Sequence, residues 1–243
     1  MATVKRAIIM AAGIGSRMNP VTLDIPKPLV KVNGERMIDT VIKGLHENGI
    51  YEIYVVVGYL KDTFNVLEKK YDDIKLIENP YYQTCNNISS LYVARDYIEE
   101  AIILDGDQII YDSSILNKEF ERSGYNCVWT DTKTNEWVLS LDDNGIVSNC
   151  SRTGADKGWQ LYSISRWTKE DGQKLSSHLE EEFVQNKNTQ IYWDDVALFC
   201  HPDHYQLGIQ KMDKGAIVEI DNYDELVQID PSYKNYQDKQ GGQ

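Results

Sequence analysis

Ala11-Ala12-Gly13-Ile14-Gly15-Ser16-Arg17-Met18, followed by Pro26-Lys27-Pro28, is the stretch that decides the reading of this chain. The apolar run Arg6 to Ala11 before it reads as a buried strand. That strand delivers the chain into a loop where two glycines let backbone N–H groups approach an anion closely. Arg17 adds a planar fork of donors for phosphate oxygens, and Lys27 a compact point charge. A dinucleotide fingerprint would need glycine where Met18 stands, and a Walker loop would need Gly-Lys-Ser/Thr, so both are excluded.

Outward from the loop, strands at Ile53–Val57, Lys75–Ile77 and Ala101–Leu104 alternate with helices expected at Met37–Glu47, Asp62–Lys70 and Asn87–Tyr97. This alternation predicts an α/β fold, a Rossmann-like doubly wound sheet that binds ligands beyond the carboxyl ends of its strands. After about residue 124 shorter strands follow, at Cys127–Thr130, Trp137–Leu141, Ile146–Ser148 and Gln160–Ile164, with Asp143-Asn144-Gly145 as a hairpin turn. Helices are expected at Lys169–Asn186 and Asp194–Phe199, a late strand at Val218–Asp221, and a last helix from Tyr223. The expected organisation is one domain over 1–231, with an α/β first half (1–123) and a β-rich second half (124–231). Residues 232–243 are expected as a polar tail or a linker into a larger bifunctional chain.

Composition narrows the partners. Of the 243 residues 42% are hydrophobic and 26% charged, ordinary for a globular protein, and no apolar run is long enough to span a membrane. The net charge of −13 argues against nucleic acid or an anionic membrane surface. It leaves room for an anionic small substrate at a locally basic site. Cys85, Cys127, Cys150 and Cys200 show no metal-ligand spacing, and with no export signal they read as reduced thiols in a cytoplasm.

The loop, with Pro-Lys-Pro-Leu at 26–29, resembles the Gly-x-Gly-x-Arg…Pro-Lys signature of the sugar-phosphate nucleotidyltransferases. The resemblance continues through Val57-Gly58-Tyr59-Leu60, Glu78-Asn79-Pro80, Asn86 to Tyr92 and Asp105-Gly106-Asp107. Within that superfamily the chain looks most like the bacterial phosphocholine cytidylyltransferases, on Thr134-Asn135-Glu136-Trp137, Tyr192-Trp193-Asp194 and Glu219-Ile220-Asp221. It implies a nucleotide-diphospho-sugar transferase type of mixed sheet and the joining of CTP to a small phosphorylated amine with release of pyrophosphate.

By that resemblance Lys27, Arg17 and Asp107 are the catalytic residues. Asp107 and Asp221 would hold Mg²⁺, a hard cation suited to carboxylates and phosphates. Ala11, Ala12, Gly13, Gly15, Ser16, Gly58, Asn87, Ser90 and Asp105 would cradle the nucleotide. Glu136, Trp137, Tyr192, Trp193 and Asp194 would bind the acceptor, aromatic faces and carboxylates being what hold a quaternary ammonium. Read from the residues alone, Asp107 competes with a turn role before Tyr111, Asp221 with a helix cap before Tyr223, and the tryptophans with core packing. Phosphocholine is the expected acceptor. 2-Aminoethylphosphonate, a sugar 1-phosphate and a nucleotide-binding module without catalysis remain as alternatives.

Overall fold

Arg6–Ala11 (β1), Glu52–Val57 (β2), Ile74–Glu78 (β3) and Ala101–Asp105 (β4) form where the apolar runs predict strands. The computed structural model describes residues 1–236. All four strands run parallel in the order β4-β1-β2-β3, with Ile9 opposite Val55 on one side and Leu104 on the other. Side chains alternate across the sheet. Ala7, Ile9 and Ala11 enter one core, and Ile8, Met10 and Ala12 the other. Two covered faces explain why these strands read as unbroken apolar runs.

Helix α1 (Met37–Glu47) covers the first face with Ile38, Val41, Ile42 and Leu45, and Gly49 follows it at φ +73° as the expected C-terminal glycine. The helix expected over 62–70 is a tight turn at Lys61–Phe64 running into α2 (Asn65–Glu68). The one expected over 87–97 is α3 (Ile88–Val93) followed by a 3-10 turn at Arg95–Tyr97. The second face is covered by α3 and α4 (Lys169–Glu180), through Ile88, Leu91, Leu175 and Leu179. A wider turn, Glu181–Gln185, completes the helix expected to reach Asn186.

Beyond β4 the sheet becomes mixed. Gln108–Ile110 forms β5, Gly124–Thr130 β6, Val138–Leu141 β7, Val147–Ser151 β8, Gly158–Arg166 β9, Gly208–Lys211 β10 and Ile217–Glu219 β11. The long strand β9 lies antiparallel to β4, with Ile164 opposite Leu104, and carries both β6 and β7. One nine-stranded sheet therefore runs through both halves of the described residues. The 143–145 turn closes the β7–β8 hairpin with Gly145 at φ +73°.

A separate ribbon pairs β5 with β11, setting Gln108 opposite Glu219. The late strand stops at Glu219 rather than Asp221, whose backbone N–H donates instead to Glu225. Asn222, not Asp221, caps the last helix, α6 (Tyr223–Ile229). The expected tail is seated where it begins: the Tyr233 hydroxyl donates to the Lys31 carbonyl and its ring meets Tyr236. Residues 237–243 of that tail lie outside the described residues. Among the described residues no helix is long and apolar enough to cross a membrane.

Candidate active site

β1 ends at Ala11 and the chain turns sharply through Gly13-Ile14-Gly15. Gly15 has φ +67°, and a Cβ there would meet Lys27 Cβ at 3.0 Å and Thr22 Cγ2 at 3.3 Å. Only glycine serves both demands. A Cβ on Gly13 would meet nothing within 4 Å, so the backbone there stands open. The 3-10 turn Ser16–Met18 buries Met18 and directs Arg17 outward, and the Thr22 hydroxyl pins the loop by donating to the Gly15 carbonyl.

Lys27 is 8% exposed, at the start of the turn Lys27–Leu29. Its Nζ lies 2.6 Å from Asp107 Oδ2 and 3.4 Å from Asp221 Oδ1, and Arg17 Nη2 lies 3.0 Å from the same Asp221 oxygen. Burial opposes the charge on Lys27, but attraction to Asp107 and then Asp221 outweighs it and raises the pKa. The two carboxylates meet because the β5–β11 ribbon pairs Gln108 with Glu219, bringing the residue before β5 beside the one that follows Ile220. Both lean on one ammonium, so a cation is already welcome at that point. Carboxylates opening onto a phosphate loop fit a hard divalent cation.

Two joined clefts meet at this cluster, of about 300 Å³ and about 270 Å³, and both are lined by Arg17, Lys27, Asp107 and Asp221. The smaller runs along the loop, past Ala11, Gly13, Gly15 and Ser16. The larger extends to Glu136, Trp137, Tyr192 and Asp194, with Asp105, Asn87 and Glu219 on its walls. Of the other expected nucleotide residues, Asn87 and Asp105 line the larger cleft, while Ala12, Gly58 and Ser90 line neither. Ala12 and Gly58 back the loop, where the Tyr59 N–H donates to the Ala12 carbonyl, and the Ser90 hydroxyl accepts from Asn79.

Trp193 is the clearest correction. It is 2% exposed and packed against Tyr125 and Trp167, and its backbone N–H donates to Asn87 Oδ1 on the cleft wall. It opens the short helix α5 (Trp193–Asp195), and the turn of that helix sends Trp193 into the core while Asp194 borders the cleft. Trp137 does stand on the wall, edge-on to Tyr192 with ring centroids 5.7 Å apart.

The larger cleft is acidic. Burial pushes Asp194 up to about 7, eased by the nearby Tyr125 hydroxyl and reinforced by Asp195. Neither Asp194 Oδ1 nor the Tyr125 oxygen has a well-formed hydrogen bond. Burial likewise raises Glu219 to about 7, against the hydrogen bond donated by Gln108 and with the charges of Asp107, Asp221 and Glu136 adding to it. Asp105 is raised well above the carboxylate range by burial, then by Asp107, Glu219 and Asp194. Glu219 was missed as a site residue, although its spacing from Asp221 was visible. Away from the clefts, His178 and His201 stack in parallel at 3.9 Å, so their in-plane lone pairs cannot converge on one ion.

A MobA-like NTP transferase domain matches residues 7–177. The chain belongs to this family. A 2-aminoethylphosphonate cytidylyltransferase of Lancefieldella rimae is 38% identical over 229 residues, 93% of this chain and 92% of that one. The solved CTP:phosphocholine cytidylyltransferase of Streptococcus pneumoniae aligns with a TM-score of 0.87 at 30% identity, covering 95% of this chain and 99% of that one. A glucose-1-phosphate thymidylyltransferase from Bacillus anthracis shares the fold, with a TM-score of 0.75 at 16% identity and 95% of each chain covered. This MobA-like protein is a nucleotidyltransferase with the mixed α/β sheet of the nucleotide-diphospho-sugar transferases.

Proposed function

We propose that the protein transfers CMP from CTP to a small phosphonate or phosphate bearing a primary ammonium, with 2-aminoethylphosphonate the leading candidate. The observation that carries the acceptor class is Asp194 Oδ1, buried at the cleft wall beside the Tyr125 hydroxyl but without a well-formed hydrogen bond. A primary ammonium brings three N–H donors for such oxygens, whereas a trimethylammonium brings none. With Trp193 in the core, the aromatic part of the wall reduces to Trp137 and Tyr192, and the acidic part is the larger. The 38% identity to the Lancefieldella rimae enzyme supports the same reading.

In the reaction an acceptor oxygen attacks the α-phosphorus of CTP. The bond from that phosphorus to the β-phosphate oxygen breaks, and pyrophosphate leaves. A phosphate or phosphonate dianion needs no general base near neutral pH. Catalysis is then positioning and charge neutralisation. Arg17 and the 13–15 amides hold the β- and γ-phosphates. Lys27, shared by both clefts, screens the repulsion between the two reacting phosphorus groups. Asp107 and Asp221 are the residues that would hold Mg²⁺, which supplies charge neutralisation at the α-phosphate.

Phosphocholine is the second reading, favoured by the Trp137–Tyr192 edge pair and the Streptococcus pneumoniae neighbour. Pyrophosphate release decides between them, measured with CTP or UTP against 2-aminoethylphosphonate, phosphocholine and glucose 1-phosphate. Preference for 2-aminoethylphosphonate with CTP is expected. Preference for phosphocholine replaces the acceptor, and equal use of UTP removes the cytidine assignment.

A further inference from the structure

Arg152 lies outside both clefts, in the turn that follows β8, yet it contacts one aromatic wall residue of the larger cleft, Trp137, and shares Asp195 with the other, Tyr192. Its guanidinium carbon sits 3.8 Å from the Phe199 ring centroid and 5.6 Å from that of Trp137. Phe199 in turn meets Trp137 edge-on at 5.8 Å. On its other side Arg152 Nη2 reaches Asp195 Oδ1 at 2.5 Å, and Asp195 is 3% exposed. The second oxygen of that carboxylate accepts the Tyr192 N–H at 2.9 Å.

One planar cation thus joins two segments far apart in the sequence. Through ring stacking it holds Trp137, at the entrance to β7. Through Asp195 it holds the backbone of Tyr192, at the entrance to α5. Those two aromatic residues line the larger cleft together with Lys27 and Asp107, and Asp194 stands between Trp193 and Asp195 on the segment being held. Guanidinium suits the task because its flat face stacks while its fork bonds a carboxylate, which a lysine cannot do together.

We propose that Arg152 is a positioning residue for the acceptor: it clamps the Trp137 hairpin to the Tyr192–Asp195 turn and so fixes the width of the acceptor end of the cleft. The inference rests on the proposed assignment of the larger cleft to the acceptor, whichever amine that acceptor carries. The loop, Lys27 and the smaller cleft are not touched by Arg152, so its loss leaves CTP binding as it was.

The test is steady-state kinetics on Arg152→Lys, which keeps a charge beside buried Asp195 but loses the stack and the fork. A second variant, Arg152→Met with Asp195→Asn, leaves no bare buried carboxylate and an amide oxygen that can still accept from Tyr192. The acceptor is whichever one the unmodified protein uses best. Expected in both is a rise of roughly tenfold in acceptor KM, as loosened positioning produces, with CTP KM unchanged. An unchanged acceptor KM in both variants overturns the proposal, as does an equal rise of both KM values, which marks a general structural role. If the unmodified protein prefers phosphocholine, the primary-amine reading fails while the KM split still tests Arg152.

Discussion

Replacing Asp194 with asparagine separates what this residue does for binding from what it costs the fold. The side chain is buried, and its pKa stands at about 7 against an ordinary 3.8. That gap corresponds to about 4 kcal/mol, an order-of-magnitude figure, of differential cost for the charged form. Between pH 3.8 and about 7 the folded protein keeps a proton that the unfolded chain has released. Stability therefore falls as pH rises through this window and stays lowered above it. Asparagine has no such penalty, so the variant should gain stability at pH 8 by up to about 4 kcal/mol, several degrees in Tm for a chain of this length. The gain should vanish near pH 4. Binding should move the other way: a hydrogen bond to a charged partner is worth about 1.5–3 kcal/mol, so kcat/KM for a primary-amine acceptor should fall about 10- to 150-fold. In the unmodified protein acceptor KM should fall about tenfold from pH 6 to pH 8 as Asp194 ionises beside Tyr125, Asp105, Asp195 and Cys150, beyond the substrate's own titration. The asparagine variant should keep only the substrate's part. Calorimetry at pH 4 and pH 8, with acceptor kinetics over the same range, gives both answers. A variant that is no more stable at pH 8 than at pH 4 relative to the parent, or whose acceptor kinetics are unchanged, refutes the reasoning.

Lys27→Ala should lower turnover by about 10²–10³-fold, the usual result of removing a donor from a developing negative charge, with CTP binding largely kept; isothermal titration and single-turnover rates separate the two. Trp137→Ala should cost a primary-amine acceptor less than Asp194→Asn does, since a cation–π contact is worth about 0.5–2 kcal/mol. A larger loss on Trp137→Ala in acceptor kcat/KM would favour the quaternary ammonium. Gly58→Ala should destabilise the protein by about 1–3 kcal/mol and raise CTP KM, because the new Cβ would lie 2.8 Å from Tyr82 Cβ and Cγ and 2.9 Å from the Ala12 carbonyl that backs the loop. Urea unfolding and CTP titration check it.

The parallel strands were legible because both their faces are buried, which leaves runs such as Ala7–Ala11 without a polar interruption. The sharp turn at 13–15 was legible because Gly15 answers a backbone demand, a positive φ with no room for a Cβ. Of the ribbon, the late strand was expected at Val218–Asp221, but its partner β5 and their pairing were not legible, each strand being three residues long with no turn between them. That ribbon nevertheless builds the carboxylate cluster, since its pairing of Gln108 with Glu219 brings Asp107 beside Asp221 and sets Glu219 on the cleft wall. At the far end of the larger cleft Trp193 alone was misplaced, and for a different reason. In Tyr192-Trp193-Asp194-Asp195 residue type alone does not say which side chain faces inward, and tryptophan answers equally to a core and to a cation. The angle at which α5 begins decides it, and Asp195 fixes that angle by holding the Tyr192 N–H with one oxygen and Arg152 with the other. Asp195, which belongs to no sequence motif, thus decides which of these aromatic rings lines the cleft.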